Sequence, residues 1–95
     1  MKNILIIDDE EKLRNLLARI ISLEGFEVHQ AGDFKTALKK LEQTDIDVVF
    51  CDVKLPDGNG VAFSKKIKEK YPLIFMIWAL PGNSIPVCLL YLQLG

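Results

Sequence analysis

The sequence predicts an α/β domain built as a doubly wound parallel sheet of strand order 2-1-3-4, with helices on both faces. Two observations carry that expectation. Short continuous apolar runs, Ile4-Leu5-Ile6-Ile7 and Val48-Val49-Phe50-Cys51, alternate with longer segments of helical period, and a run that is apolar at every position suits a parallel strand buried on both faces. Strands that alternate with helices join through right-handed crossovers and give a parallel sheet. Ninety-five residues make one domain, close to the small end of what buries a self-sufficient core.

The first strand closes on Asp8 and Asp9. Leu13, Leu16, Leu17, Ile20 and Ile21 then recur with helical spacing, while Glu10, Glu11, Arg14 and Arg19 take other faces and Gly25 suits the C-terminal stop. Glu27 to Ala31 reads as a short second strand. Asp33 is placed to N-cap a helix whose buried stripe is Phe34, Ala37, Leu38 and Leu41. The third strand ends at Asp52. Proline, glycine and asparagine mark Lys54-Leu55-Pro56-Asp57-Gly58-Asn59-Gly60 as a loop. A third helix runs from about Val61 to Lys70, with Phe63 and Ile67 inward and Lys65, Lys66, Lys68 and Lys70 solvated. Leu73 to Trp78 reads as strand four, with Phe75 and Trp78 as core candidates.

Composition narrows the function classes. A net charge of -1 and a pI near 5.8 give no electrostatic case for nucleic acid or an anionic membrane, so no direct DNA contact is expected. Cys51 and Cys88 lack a metal-ligand spacing and read as reduced packing residues of a cytoplasmic protein. The N-terminal apolar run is too short for a signal peptide. From Tyr71 to Gly95 no charged residue occurs, and Pro72, Pro81 and Pro86 interrupt the segment. Its apolar pieces, Leu73 to Leu80 and Val87 to Leu92, fall well below the roughly 20 residues that span a bilayer. The division expected is residues 1–78 as the folded domain and 79–95 as an uncharged apolar tail.

With this strand order the topology reverses between strands one and three, and ligands of open α/β sheets sit beyond the carboxyl ends at such a switch point. Asp8, Asp9 and Asp52 converge there. Clustered carboxylates repel, so such a group either raises a pKa or is held by a hard cation with oxygen ligands, here Mg²⁺, and this points to metal-assisted phosphate chemistry. Alone, Asp8 and Asp9 read equally well as turn formers, with Asp9 or Glu10 capping helix one. Asp57 is a turn residue. Gly58-Asn59-Gly60 lacks the third glycine of a dinucleotide cradle and is set aside. His29 has no nucleophile or ligand partner in sequence reach and reads as a boundary residue.

The acid pair Asp8-Asp9, the strand-ending Asp52 and the loop Lys54 to Gly60 together resemble a response-regulator receiver domain of two-component signalling, with loop wording similar to receivers of the nitrogen-regulation type. The resemblance covers residues 1 to about 78 and implies the flavodoxin-like fold. It also implies that Asp52 is the phosphoacceptor, taking a phosphoryl group from a sensor histidine kinase or phosphotransfer protein, and that Mg²⁺ is held by Asp8, Asp9, Asp52 and the backbone carbonyl of Lys54. Such a module is not a turnover enzyme.

Two features depart from that family. It carries Ser or Thr at the end of strand four, where this chain reads Trp78-Ala79-Leu80-Pro81, and a Lys at the end of strand five, whereas no Lys follows Lys70. Ser84 is the only candidate for a displaced hydroxyl. Strand five and its flanking helices are expected to be missing or replaced, as in a truncated or frameshifted reading frame. Strand four would then be an open edge that invites dimerisation or swapping. The alternative function is a switch-deficient interaction module that binds a kinase without productive phosphorylation. A metal-dependent phosphohydrolase ranks last, because Lys54 stands where its second aspartate belongs.

Overall fold

The computed structural model describes residues 2–52, 54–55 and 58–79, of which 52, 54, 55, 59–61, 78 and 79 are described as backbone. The elements are β1 (Asn3–Ile7), α1 (Glu11–Leu23), β2 (Glu27–Ala31), α2 (Phe34–Gln43), β3 (Val48–Asp52), β4 (Lys54–Leu55), β5 (Gly58–Asn59), α3 (Gly60–Lys70) and β6 (Phe75–Ala79). The main sheet has the order β2-β1-β3-β6 and is parallel throughout. This is the predicted 2-1-3-4 when the strands of that sheet are counted alone.

The apolar runs become strands because alternate side chains serve opposite cores. On one face Leu5, Ile7, Val49 and Cys51 pack with Ala37 and Leu41 of α2 and with Phe63 and Ile67 of α3. On the other, Ile4, Ile6, Phe50 and Ile77 pack with Leu17, Ala18 and Ile21 of α1. Phe34 and Phe63 stack with ring centroids 4.1 Å apart and tie α2 to α3. Cys51 is a buried free thiol, as expected.

Helix ends follow local chemistry. Gly25, at φ +93°, donates its N–H to Ser22 O at 3.1 Å and ends α1. Asp33 caps α2 by accepting the Thr36 N–H at 2.7 Å, and that bond holds its carboxyl below the ordinary range. Glu10 is the N-cap residue of α1 but gives no side-chain cap. His29 is half-buried, with Nε2 3.4 Å from Asn3 Oδ1.

Four expectations are corrected. Leu38 is 43% exposed, because a ten-residue helix buries Phe34, Ala37 and Leu41 on one face and leaves Leu38 at the rim of that stripe. The stretch predicted as a loop contains a small antiparallel hairpin, with Lys54 paired to Asn59 and Leu55 to Gly58. Strand four starts later than predicted: Leu73 lies in a turn, 96% exposed, and the ladder begins where the Phe75 N–H meets Asp47 O at 3.0 Å. Phe75 is 56% exposed and is no core residue. Strand five, the tail, Ser84, Cys88, Pro56 and Asp57 lie outside the described residues, as does the Trp78 side chain. No helix among the described residues is long and apolar enough to cross a membrane.

Candidate functional site

The site begins with the register of β1 and β3. Ile7 is level with Cys51 in a parallel pair, so Asp8 and Asp52, each one residue further on, leave neighbouring strands at the same end of the sheet. The topology reverses between these two strands, with β2 outside β1 and β6 outside β3. This is the switch-point crevice in which such folds bind their ligands.

The turn from β1 into α1 is tightly held. Asp8 is buried, at 6% exposure. Its N–H donates to Ala31 O at 3.0 Å, extending the ladder to β2. Its Oδ1 accepts the Glu10 N–H at 2.9 Å, and its carbonyl accepts Arg14 Nη1 at 2.8 Å. Asp9, the next residue, is exposed, and among the described residues its carboxylate takes part in no hydrogen bond or ion pair. One acid is therefore anchored while its neighbour faces water. The helix-cap reading of Asp9 and Glu10 has no support in these bonds; Asp8 serves the turn instead.

On the far side of the crevice the Asp52 backbone pairs with Ala79, and Cys51 with Trp78. Neither partner carries a hydroxyl. Lys54 enters the hairpin directly after β3. The hairpin's Gly58, at φ +154°, lies so close to Phe34 that an added Cβ would stand 3.0 Å from Cε2 of that ring.

The fold agrees with that of known proteins. The family model for the response regulator receiver domain matches residues 4–84. The chain belongs to the response regulator receiver family. The match runs beyond residue 78, into the segment expected to be a tail. The receiver is 34% identical over 79 residues to the regulatory protein AtoC of Escherichia coli K12, a match covering 80% of this chain and 17% of AtoC. Among solved structures, it is similar to the response regulator TrrA of Thermotoga maritima in complex with Mg²⁺-BeF, with a TM-score of 0.81 and 31% identity over 87% of this chain and 72% of that one. It is similar also to the beryllofluoride-activated NtrC4 receiver domain dimer, with a TM-score of 0.81 and 33% identity over 100% of this chain and 78% of that one. The chain spans only 17% of AtoC and 20% of the putative response regulator NtrX-like of Rickettsia bellii.

Two features of the crevice escaped sequence reasoning. The helical spacing places Arg14 off the apolar stripe of α1, and from there it reaches the Asp8 carbonyl and Gln30 Oε1. The hairpin after β3 falls in a stretch whose composition predicts a plain loop. A two-residue strand is too short for any periodic signal, and a helix period tells where a side chain starts but not what a long one touches.

Proposed function

We propose that this receiver is a phosphoacceptor module that takes a phosphoryl group on Asp52 from the phosphohistidine of a sensor histidine kinase or phosphotransfer protein. The observation that carries the reading is the level register of Ile7 and Cys51, which brings the acid-bearing ends of β1 and β3 side by side at the switch point. A carboxylate oxygen of Asp52 forms the bond to phosphorus as the phosphorus–nitrogen bond of the phosphohistidine breaks, and the electron pair passes to the imidazole nitrogen.

The donor set suits Mg²⁺: carboxylates from Asp8, Asp9 and Asp52 and the carbonyl of Lys54 are all hard oxygen ligands, and the acids would otherwise repel one another. When bound, the ion supplies charge neutralisation to the phosphoryl group. The TrrA relative, solved with Mg²⁺-BeF, supports that assignment. In this reading the chain is a cytoplasmic signalling module and not a turnover enzyme. It makes no direct contact with nucleic acid or membrane, and β6, outermost in the main sheet among the described residues, is the strand through which copies pair or swap. The NtrC4 receiver, solved as a dimer, supports self-association.

A second reading is favoured by one observation: residues without a hydroxyl, Trp78 and Ala79, stand level with Cys51 and Asp52. In that case the receiver docks a kinase without switching. Acetyl phosphate with Mg²⁺, followed by a phosphate-affinity gel, separates the two. A retarded band that Asp52→Asn abolishes supports phosphoacceptance. A folded chain that never shifts, yet binds a kinase equally well with Asp52→Asn, establishes the silent module.

A further inference from the structure

We propose that Arg14 is the positioning residue of the acidic turn, and that Gly32 is the position that leaves room for it. Arg14 projects from the first turn of α1, half-buried, and its guanidinium joins two elements. Nη1 donates to the Asp8 carbonyl at 2.8 Å, and Nε donates to Gln30 Oε1 of β2 at 3.0 Å. The Asp8 carbonyl is the first main-chain acceptor beyond β1, at the point where the chain turns to present both acids. A planar fork that spans two acceptors fixes that peptide more firmly than a single point donor can. The Asp8 peptide is thus held from both sides, by Arg14 at its carbonyl and by Ala31 O at its N–H.

Gly32 follows β2 directly, and a Cβ there would stand 3.1 Å from Arg14 Nη1. Its φ is not positive, so a side chain is compatible with the backbone; what it would disturb is the guanidinium. Arg14, Gln30 and Gly32 form one small device, and its output is the shape of Asp8-Asp9-Glu10.

This proposal rests on the reading of the turn as an Mg²⁺ site, and the experiment keeps the two apart. Mg²⁺ is titrated calorimetrically into the full chain, and amide hydrogen exchange is measured on the metal-free protein, for wild type, Arg14→Met, Arg14→Lys, Gly32→Ala and the Arg14→Met/Gly32→Ala double variant. Arg14→Met is expected to weaken Mg²⁺ about tenfold, the scale on which outer partners of metal ligands act, and to speed exchange at the Asp8 and Glu10 amides. Arg14→Lys recovers part of the affinity. Gly32→Ala moves both readouts in the same direction by less, and adds nothing on top of Arg14→Met, because both act through one contact.

Arg14→Met with wild-type affinity and wild-type exchange at Asp8 and Glu10 overturns the proposal. So does exchange that accelerates equally at Asp47 and Phe75, which would mark general loosening. If wild type binds no Mg²⁺, the metal reading fails, while the exchange pattern still decides whether Arg14 holds the turn.

Discussion

The two ends of the sheet both carry aspartates, and they use them differently. At the amino end Asp47 is spent on the fold: its Oδ2 accepts the Asn3 N–H at 2.8 Å, its own N–H donates to Asn3 O at 2.9 Å, and its carbonyl accepts the Phe75 N–H. The Asn3 amide meets the Asp45 carbonyl at 3.1 Å. At the carboxyl end Asp8 is bound into a turn by main-chain and guanidinium bonds, and Asp9 is left facing water. A cavity of about 590 Å³ opens at the amino end, with Asp45, Asp47, Lys70 and Tyr71 in its wall. The difference teaches that an acid's place in the topology, beside a second acid-bearing strand end, marks it as a candidate for chemistry more than whether the backbone already holds it.

The largest break in this comparison comes from the core that joins the two ends. Phe50, 1% exposed in β3, lies between them, and Phe50→Ala should cost about 3–5 kcal/mol. Urea unfolding should show both ends lost in one transition. Gly58→Ala acts at the carboxyl end alone. With φ +154° and the Phe34 ring 3.0 Å from the new Cβ, it should cost about 1–3 kcal/mol, read as a lower urea midpoint with reduced Mg²⁺ binding.

The contrast is sharpened by a pair of smaller changes. Asp47→Ala removes a partner of a main-chain N–H and should lower stability by about 0.5–1.5 kcal/mol while Mg²⁺ binding stays as in wild type. Asp9→Ala should do the reverse, leaving the unfolding midpoint unchanged and weakening Mg²⁺. Titration calorimetry and urea melts on both variants make the test, and a swap of the two outcomes would break the assignment of ends.

The smallest effect belongs to Asp33. Its carboxyl is held low chiefly by the Thr36 N–H, so its contribution is fully present above the unfolded carboxylate pKa and is lost as pH falls through the lowered folded value. Urea midpoints followed into acid should fall less steeply in Asp33→Asn, which keeps an acceptor without the titration.

Most of the main sheet was legible because each strand is a short apolar run ending in an acid or a turn, and each helix has its stripe. Asp33 as a cap and the convergence of β1 and β3 followed from the same local signals. What escaped depends on contacts between elements. Leu73 and Phe75 are as apolar as any core residue, yet Leu73 lies in the turn ahead of β6, Phe75 opens that strand, and both face water. Leu16, 53% exposed, keeps the helical spacing of Leu17 and Ile21 yet lies off their face. Arg14 resembles any solvated charge on α1 until its reach to the Asp8 carbonyl is seen. For the candidate site, the strand ends that carry Asp8 and Asp52 were legible in the sequence, whereas the Arg14 bond to the Asp8 carbonyl was not.

The account stands on the gathering of Asp8, Asp9 and Asp52 around one divalent ion. Mn²⁺ shares the preference of Mg²⁺ for carboxylate oxygen and broadens nearby amide resonances. Titrated into the labelled receiver, it should erase the amide signals of Asp8, Asp9 and Asp52 together at the lowest additions, while those of Asp45 and Asp47 persist. Broadening that starts at Asp45 and Asp47, or that spares Asp52 while Asp8 and Asp9 fade, would contradict it.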